Sequence, residues 1–169
     1  MTFIPKNRVF QFEIPDDSPG FLLWQISNLW QRKMNAGLNH LGLTHVQFVL
    51  LAGLVWLNQD QETVTQAKLA THAKTDIMMT SKVLRALEQR GLVKREPDAR
   101  DTRAKSLTIT QSGYELTIEA IKIVDEIDRK FFSILGKELG SFNHGLRAIR
   151  DSGKLEERLE NRGWEIAES

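Results

Sequence analysis

The segment Asp98-Ala99-Arg100-Asp101-Thr102-Arg103-Ala104-Lys105 places five charges in eight residues. An arginine presents N–H donors in a planar fork that fits carboxylates, phosphates and the edges of bases. Directly after it, Leu107-Thr108-Ile109-Thr110 alternates as a β-strand does. A charged tip next to a strand is a hairpin that holds its arginines away from the body. Arg100 and Arg103 held in this way can reach a DNA minor groove, which concentrates negative potential when narrow. Asp98 and Asp101 would repel a polyanion. Their expected role is to orient the arginines through ion pairs inside the hairpin, worth about 0–1 kcal/mol each when exposed. A polar loop whose charges merely pair with one another fits the same residues.

The elements around the tip decide what it accompanies. LVKRE, after Gly91, is the outgoing strand and SLTIT the returning one. Upstream, a helix is predicted from about Ile77 to Arg90. On a wheel of about 100° per residue, Ile77, Thr80, Val83, Leu84 and Leu87 face the core. Met78, Ser81, Lys82, Arg85 and Gln89 lie opposite. Such a face suits a major groove: arginine and lysine pair with guanine, glutamine with adenine, and methionine touches a thymine methyl. Taken alone, it is equally a solvated helix face. Thr63 and Gln66 predict a capping box for a short helix before it, and only Lys74 to Asp76 separate the two. Helix, tight turn, basic helix and hairpin make a winged helix-turn-helix.

The flanks are helical. Ser18-Pro19 starts a helix whose Leu22, Ile26, Leu29, Trp30, Met34, Leu38 and Leu41 recur at spacings of three and four, and Gly42 stops it. Thr44 and Gln47 form a capping box, with Leu43 and Phe48 as the staple, before an almost wholly apolar helix expected at the centre of the fold. Thr110 caps a long helix predicted to reach about Leu135, with Leu116, Ala120, Ile123, Val124, Ile127, Phe131 and Ile134 in one stripe. A shorter helix with Phe142, Leu146 and Ile149 follows. The fold class is mainly α with a small β-hairpin wing. The expected divisions are an arm (1–17), a dimerisation helix (18–42), the winged helix-turn-helix (43–110), C-terminal dimerisation helices (111–152) and a polar tail (153–169). The long apolar stripes exceed what one small core can cover, which marks association surfaces.

The run Asp101-Thr-Arg103-Ala-Lys-Ser-Leu107-Thr-Ile109-Thr110-Gln-Ser-Gly113 resembles the wing signature of the multiple antibiotic resistance regulator (MarR) family, Asp-x-Arg, three residues, Leu-x-Leu-Thr, then glycine. Ile109 stands for the second leucine. LRALEQRGLVKREP is similar to the end of that family's recognition helix and its first wing strand, and the resemblance spans roughly residues 20–150. It implies a homodimer with interlocked terminal helices, each subunit placing a winged helix on half of a palindromic operator. By the resemblance, Arg103 is the wing arginine of the minor groove and Asp101 its partner. Ser81, Lys82 and Arg85 fall near bases and phosphates. Met78 and Met79 stand where the family usually has small polar residues. The resemblance also implies a small aromatic or phenolic effector bound between the dimer helices and the winged helix. Trp24, Trp30, His40, His45 and Phe48 lie near that place, though each fits equally as a core or solvated residue.

Composition narrows the alternatives. The 169 residues carry a net charge of +1, yet Lys68 to Lys105 hold ten Lys/Arg against five Asp/Glu. A basic centre with acidic flanks is a local binding surface. The chain has no cysteine, so thiol chemistry is excluded. No apolar run approaches the roughly 20 residues of a membrane span, and the first residues do not form a signal peptide, so a cytoplasmic protein is expected. His40 and His45 miss helical metal spacing, and no phosphate loop or nucleophile motif is present. Neither an enzyme, a metal site nor a cofactor is expected. The expected function is a sequence-specific DNA-binding transcriptional regulator, a ligand-responsive repressor. The alternative is a winged-helix module that binds a protein partner.

Overall fold

In the computed structural model, residues 11–60, 63–97 and 105–167 are described. The chain divides into two compact units, the first ending at Ile127 and the second beginning at Asp128. Helix α1, Pro19–Leu38, opens at Ser18, whose hydroxyl accepts the Phe21 amide at 3.3 Å. A 3-10 turn, Asn39–Leu41, then leads to Gly42 at φ +62°, a left-handed position that glycine takes at no steric cost. Helix α2, His45–Leu57, carries the expected capping box of Thr44 and Gln47. Its Phe48, Leu50, Leu51 and Leu54 are buried, while Trp56 at its far end is exposed. α2 packs against α1 and against the elements that follow it. It is central because nearly every face of it is apolar.

Strand β1, Val64–Thr65, precedes helix α3, Gln66–Ala73. The sequence predicts no strand here and puts the helix cap at Thr63. The cap is Thr65, which accepts the Lys68 amide at 3.2 Å. The shift follows from pairing: Val64 lies opposite Leu107 and Thr65 opposite Ser106, so these residues are drawn into a sheet before the helix starts. Lys74 turns the chain at φ +54°, and helix α4, Ile77–Gln89, follows. Strands β2, Val93–Pro97, and β3, Lys105–Ile109, pair antiparallel from Val93↔Ile109 to Pro97↔Lys105. The sheet order is β1-β3-β2, so the wing is a hairpin with a third strand at its base.

The end of the wing signature is a joint. Thr110 is the residue before helix α5, Gln111–Phe132. Its hydroxyl lies 2.8 Å from the Gly91 carbonyl and 3.1 Å from that of Leu92, and accepts the Gly113 amide at 3.0 Å. Its own amide donates to the Leu92 carbonyl at 3.1 Å. Gly113 is close enough that a Cβ there would run into the Leu92 carbonyl oxygen. One threonine and one glycine therefore lock the start of α5 to the start of β2. Thr110→Ala removes a helix cap and should lower stability by about 1 kcal/mol, measured by urea unfolding. Thr110→Ser, which keeps the hydroxyl, should recover most of the loss.

The second unit holds the last turn of α5, a 3-10 segment Ser133–Glu138 and helix α6, Leu139–Ala167. The long helix expected to reach about Leu135 stops at Phe132, before Gly136 departs from helical geometry at φ 47°, ψ −122°. Ile134, placed on the apolar stripe by its spacing, is 89% exposed. The tail read as polar from residue 153 continues α6. KLEERLENR is built of strong helix formers.

Candidate nucleic-acid interface

Helix α4 is anchored at its start by Asp76. The carboxylate accepts the amides of Met78 and Met79, both at 2.9 Å. Thr80 is fully buried and ties the turn together. Its hydroxyl lies 2.8 Å from that of Thr75 and bonds the Asp76 carbonyl at 2.7 Å. Leu84 and Leu87 continue the buried side. Ile77 departs from the expected core side and is 48% exposed. It is the first residue of the helix, and Thr80, three residues on, is the first that is fully buried. On the outer side, Met78 is 76% exposed. Lys82, Arg85 and Gln89 are exposed with it, and Ser81 is half-buried.

Two arginines that sequence reasoning did not single out fix this helix. Arg95, on β2, has a side chain only 8% exposed. One of its terminal nitrogens donates to Gln66 of α3 at 3.2 Å, and the other sits 3.8 Å from the Glu88 carboxylate of α4. Its Nε is buried without a hydrogen-bond partner. Gln66 also donates to the Ile77 carbonyl at 3.4 Å. One guanidinium thus joins the wing strand to both helices of the helix-turn-helix. Arg90, at the end of α4, donates to the Gly42 carbonyl at 2.7 Å and to that of Leu41 at 3.4 Å. Helix α4 is therefore bonded to the elbow between α1 and α2. Neither arginine has a local sequence signal, because each acts through partners at least seven residues away.

The structure brings Met78, Ser81, Lys82 and Arg85 onto α4. Asp98, Arg100, Asp101 and Arg103 lie outside the described residues. Of the five aromatic and histidine candidates, it joins Trp30 and His45, whose rings meet edge to face at 4.8 Å. The His45 amide also donates to Asn35 at 2.9 Å. Phe48 is part of the core, whereas Trp24 is 64% exposed and stacks on Phe21 at 6.2 Å. His40 lies exposed on the 3-10 turn after α1. Among the described residues there is no cluster of three or more metal-ligating side chains. No single helix among them is long and apolar enough to cross a membrane.

Residues 43–105 match the family model described as the MarR family. The HTH-type transcriptional regulator YdcH of Bacillus subtilis is 43% identical over 139 residues, covering 82% of this chain and 94% of YdcH. The chain belongs to the MarR family. Its architecture is accordingly that of a MarR-type winged-helix transcriptional regulator. The HTH-type transcriptional repressor Rv2887 of Mycobacterium tuberculosis is 31% identical over 123 residues, 72% of this chain and 86% of Rv2887. The crystal structure of the Staphylococcus aureus MepR–DNA complex superposes with a TM-score of 0.73 at 29% identity, over 80% of this chain and 98% of MepR. The MarR wing signature in this chain divides into two parts. Leu107 and Ile109 lie on β3 and Thr110 and Gly113 form the joint, whereas Asp101 and Arg103 lie outside the described residues.

Proposed function

We propose that this MarR-family protein is a cytoplasmic, homodimeric repressor that places one winged helix on each half of a palindromic operator. A small aromatic or phenolic effector releases it. The observation that carries the reading is the exposed α4 face of Met78, Lys82 and Arg85, held in register with the wing by Arg95. MepR, of similar architecture, has been crystallised with DNA. Rv2887, similar in sequence, is a repressor.

In this reading, residues 43–110 bind DNA, with Ser81, Lys82 and Arg85 in a major groove and Arg100 and Arg103 in the adjacent minor groove. Asp98 and Asp101 steady the wing arginines. Residues 18–42 and 111–152 pair the subunits. Two sets of exposed apolar residues support the pairing: Phe21, Leu23, Trp24, Ile26 and Leu29 on α1, and Leu139, Leu146 and Ile149 on α6. Two-fold symmetry then sets the reading helices about 34–36 Å apart. The contact between Trp30 and His45 supports an effector position, since an imidazole beside an aromatic ring can take a carboxylate or phenol.

The test is binding to the DNA upstream of the protein's own gene at several salt concentrations, with a footprint and the dimer mass measured in parallel. The expected result is protection of a palindrome and a steep linear fall of log affinity with log salt. Lys82→Ala and Arg85→Ala should each weaken binding and flatten that slope by about one unit where a phosphate contact is lost. A flat slope, with equal binding to random duplexes, favours a winged-helix module for a protein partner instead.

A further inference from the structure

We infer that Met78 reads a thymine methyl group in the operator half-site. This rests on the DNA-binding reading above and adds the chemistry of one contact. At 76%, Met78 is among the most exposed large apolar residues described, and it lies on the reading helix, not on a pairing helix. On the helical wheel Met78, Ser81, Lys82 and Arg85 fall within an arc of about 100°, so the thioether shares its face with the two cations.

The alternative contacts for this turn are already occupied. The amides of Met78 and Met79, which could otherwise donate to a phosphate or a base acceptor, are taken by Asp76 at 2.9 Å each. The Asp76 carboxylate moreover repels phosphate. What the first turn of α4 offers a groove is therefore apolar: the side chain of Met78, flanked by the half-exposed Ile77 and Met79. The principal apolar group on the floor of a major groove is the C5-methyl of thymine. Lys82 and Arg85, further along, remain free to choose phosphates or guanine.

The experiment selects an operator from random duplexes with the full-length protein. Each thymine is then replaced by deoxyuracil, which removes the methyl and leaves the base-pairing and groove acceptors intact. Wild type should lose about fourfold in affinity at one symmetry-related thymine position, the change expected for one buried methyl. Met78→Ala should fold normally, bind the thymine operator more weakly and no longer distinguish it from the uracil version. Wild-type indifference to every replacement, or a Met78→Ala protein that keeps the discrimination, overturns the inference while leaving DNA binding in place. Failure to select any operator overturns the DNA-binding reading and this contact with it.

Discussion

Gly113→Ala is expected to lower the free energy of unfolding by about 3 kcal/mol or more, in the upper range for a single substitution. The added methyl meets the Leu92 carbonyl oxygen. That oxygen cannot step aside, because it accepts both the Thr110 amide and the Thr110 hydroxyl at 3.1 Å. It also belongs to the residue leading into β2, where Val93 pairs with Ile109. Gly37→Ala makes the useful contrast. Its methyl would meet the side-chain end of Ile127, which can rotate, and Ile123 at 3.2 Å. Chemical unfolding of both variants should therefore place Gly113→Ala well below Gly37→Ala. Near-equal losses would show that the joint is looser than its geometry says.

Arg103→Ala is expected to reduce operator affinity by at least about tenfold, within the roughly 1–3 kcal/mol span of a specific arginine contact. The dimer and the unfolding midpoint should stay unchanged. Pro97 pairs with Lys105 at the end of the ladder away from the Val93↔Ile109 pair, and Arg103 falls between those two residues in the sequence. In the proposed role Arg103 serves the DNA contact and not the fold, so its removal is expected to be felt by the partner alone. Arg103→Lys retains the charge but loses the planar fork, and should recover only part of the affinity. Asp101→Asn should weaken binding less than Arg103→Ala if the aspartate only steadies its neighbour. Filter binding or fluorescence anisotropy on one operator decides it, and unchanged affinity in Arg103→Ala removes the wing from the interface.

Much of the architecture was legible because local physics and tertiary packing agree. Ser18 and Thr44 cap the helices that their sequences announce, and the buried side of α4 follows the wheel from Thr80 to Leu87. Disagreement begins where a distant partner overrules local preference. Val64 and Thr65 form a strand only because β3 lies beside them, so the cap moved from Thr63 to Thr65. Ile77 has the side chain of a core residue but the position of a first turn. α5 ends at Phe132 although its apolar spacing runs on to Ile134. Arg95 was the largest omission at the candidate site. In sequence it is one basic residue in a basic strand. Its partners Gln66 and Glu88 become neighbours only after folding.

The Arg95 junction separates two kinds of residue in the winged helix-turn-helix. Those that build the frame, Thr80, Leu84, Leu87, Arg95, Thr110 and Gly113, are buried or bonded within it. The side chains of Met78, Lys82 and Arg85 are exposed on the outside of that frame. If α4 reads DNA as proposed, the lettering on the helix can be rewritten without disturbing the press that carries it. On that reading, a duplicated copy of this chain could acquire a new target site through two or three surface changes while keeping its stability.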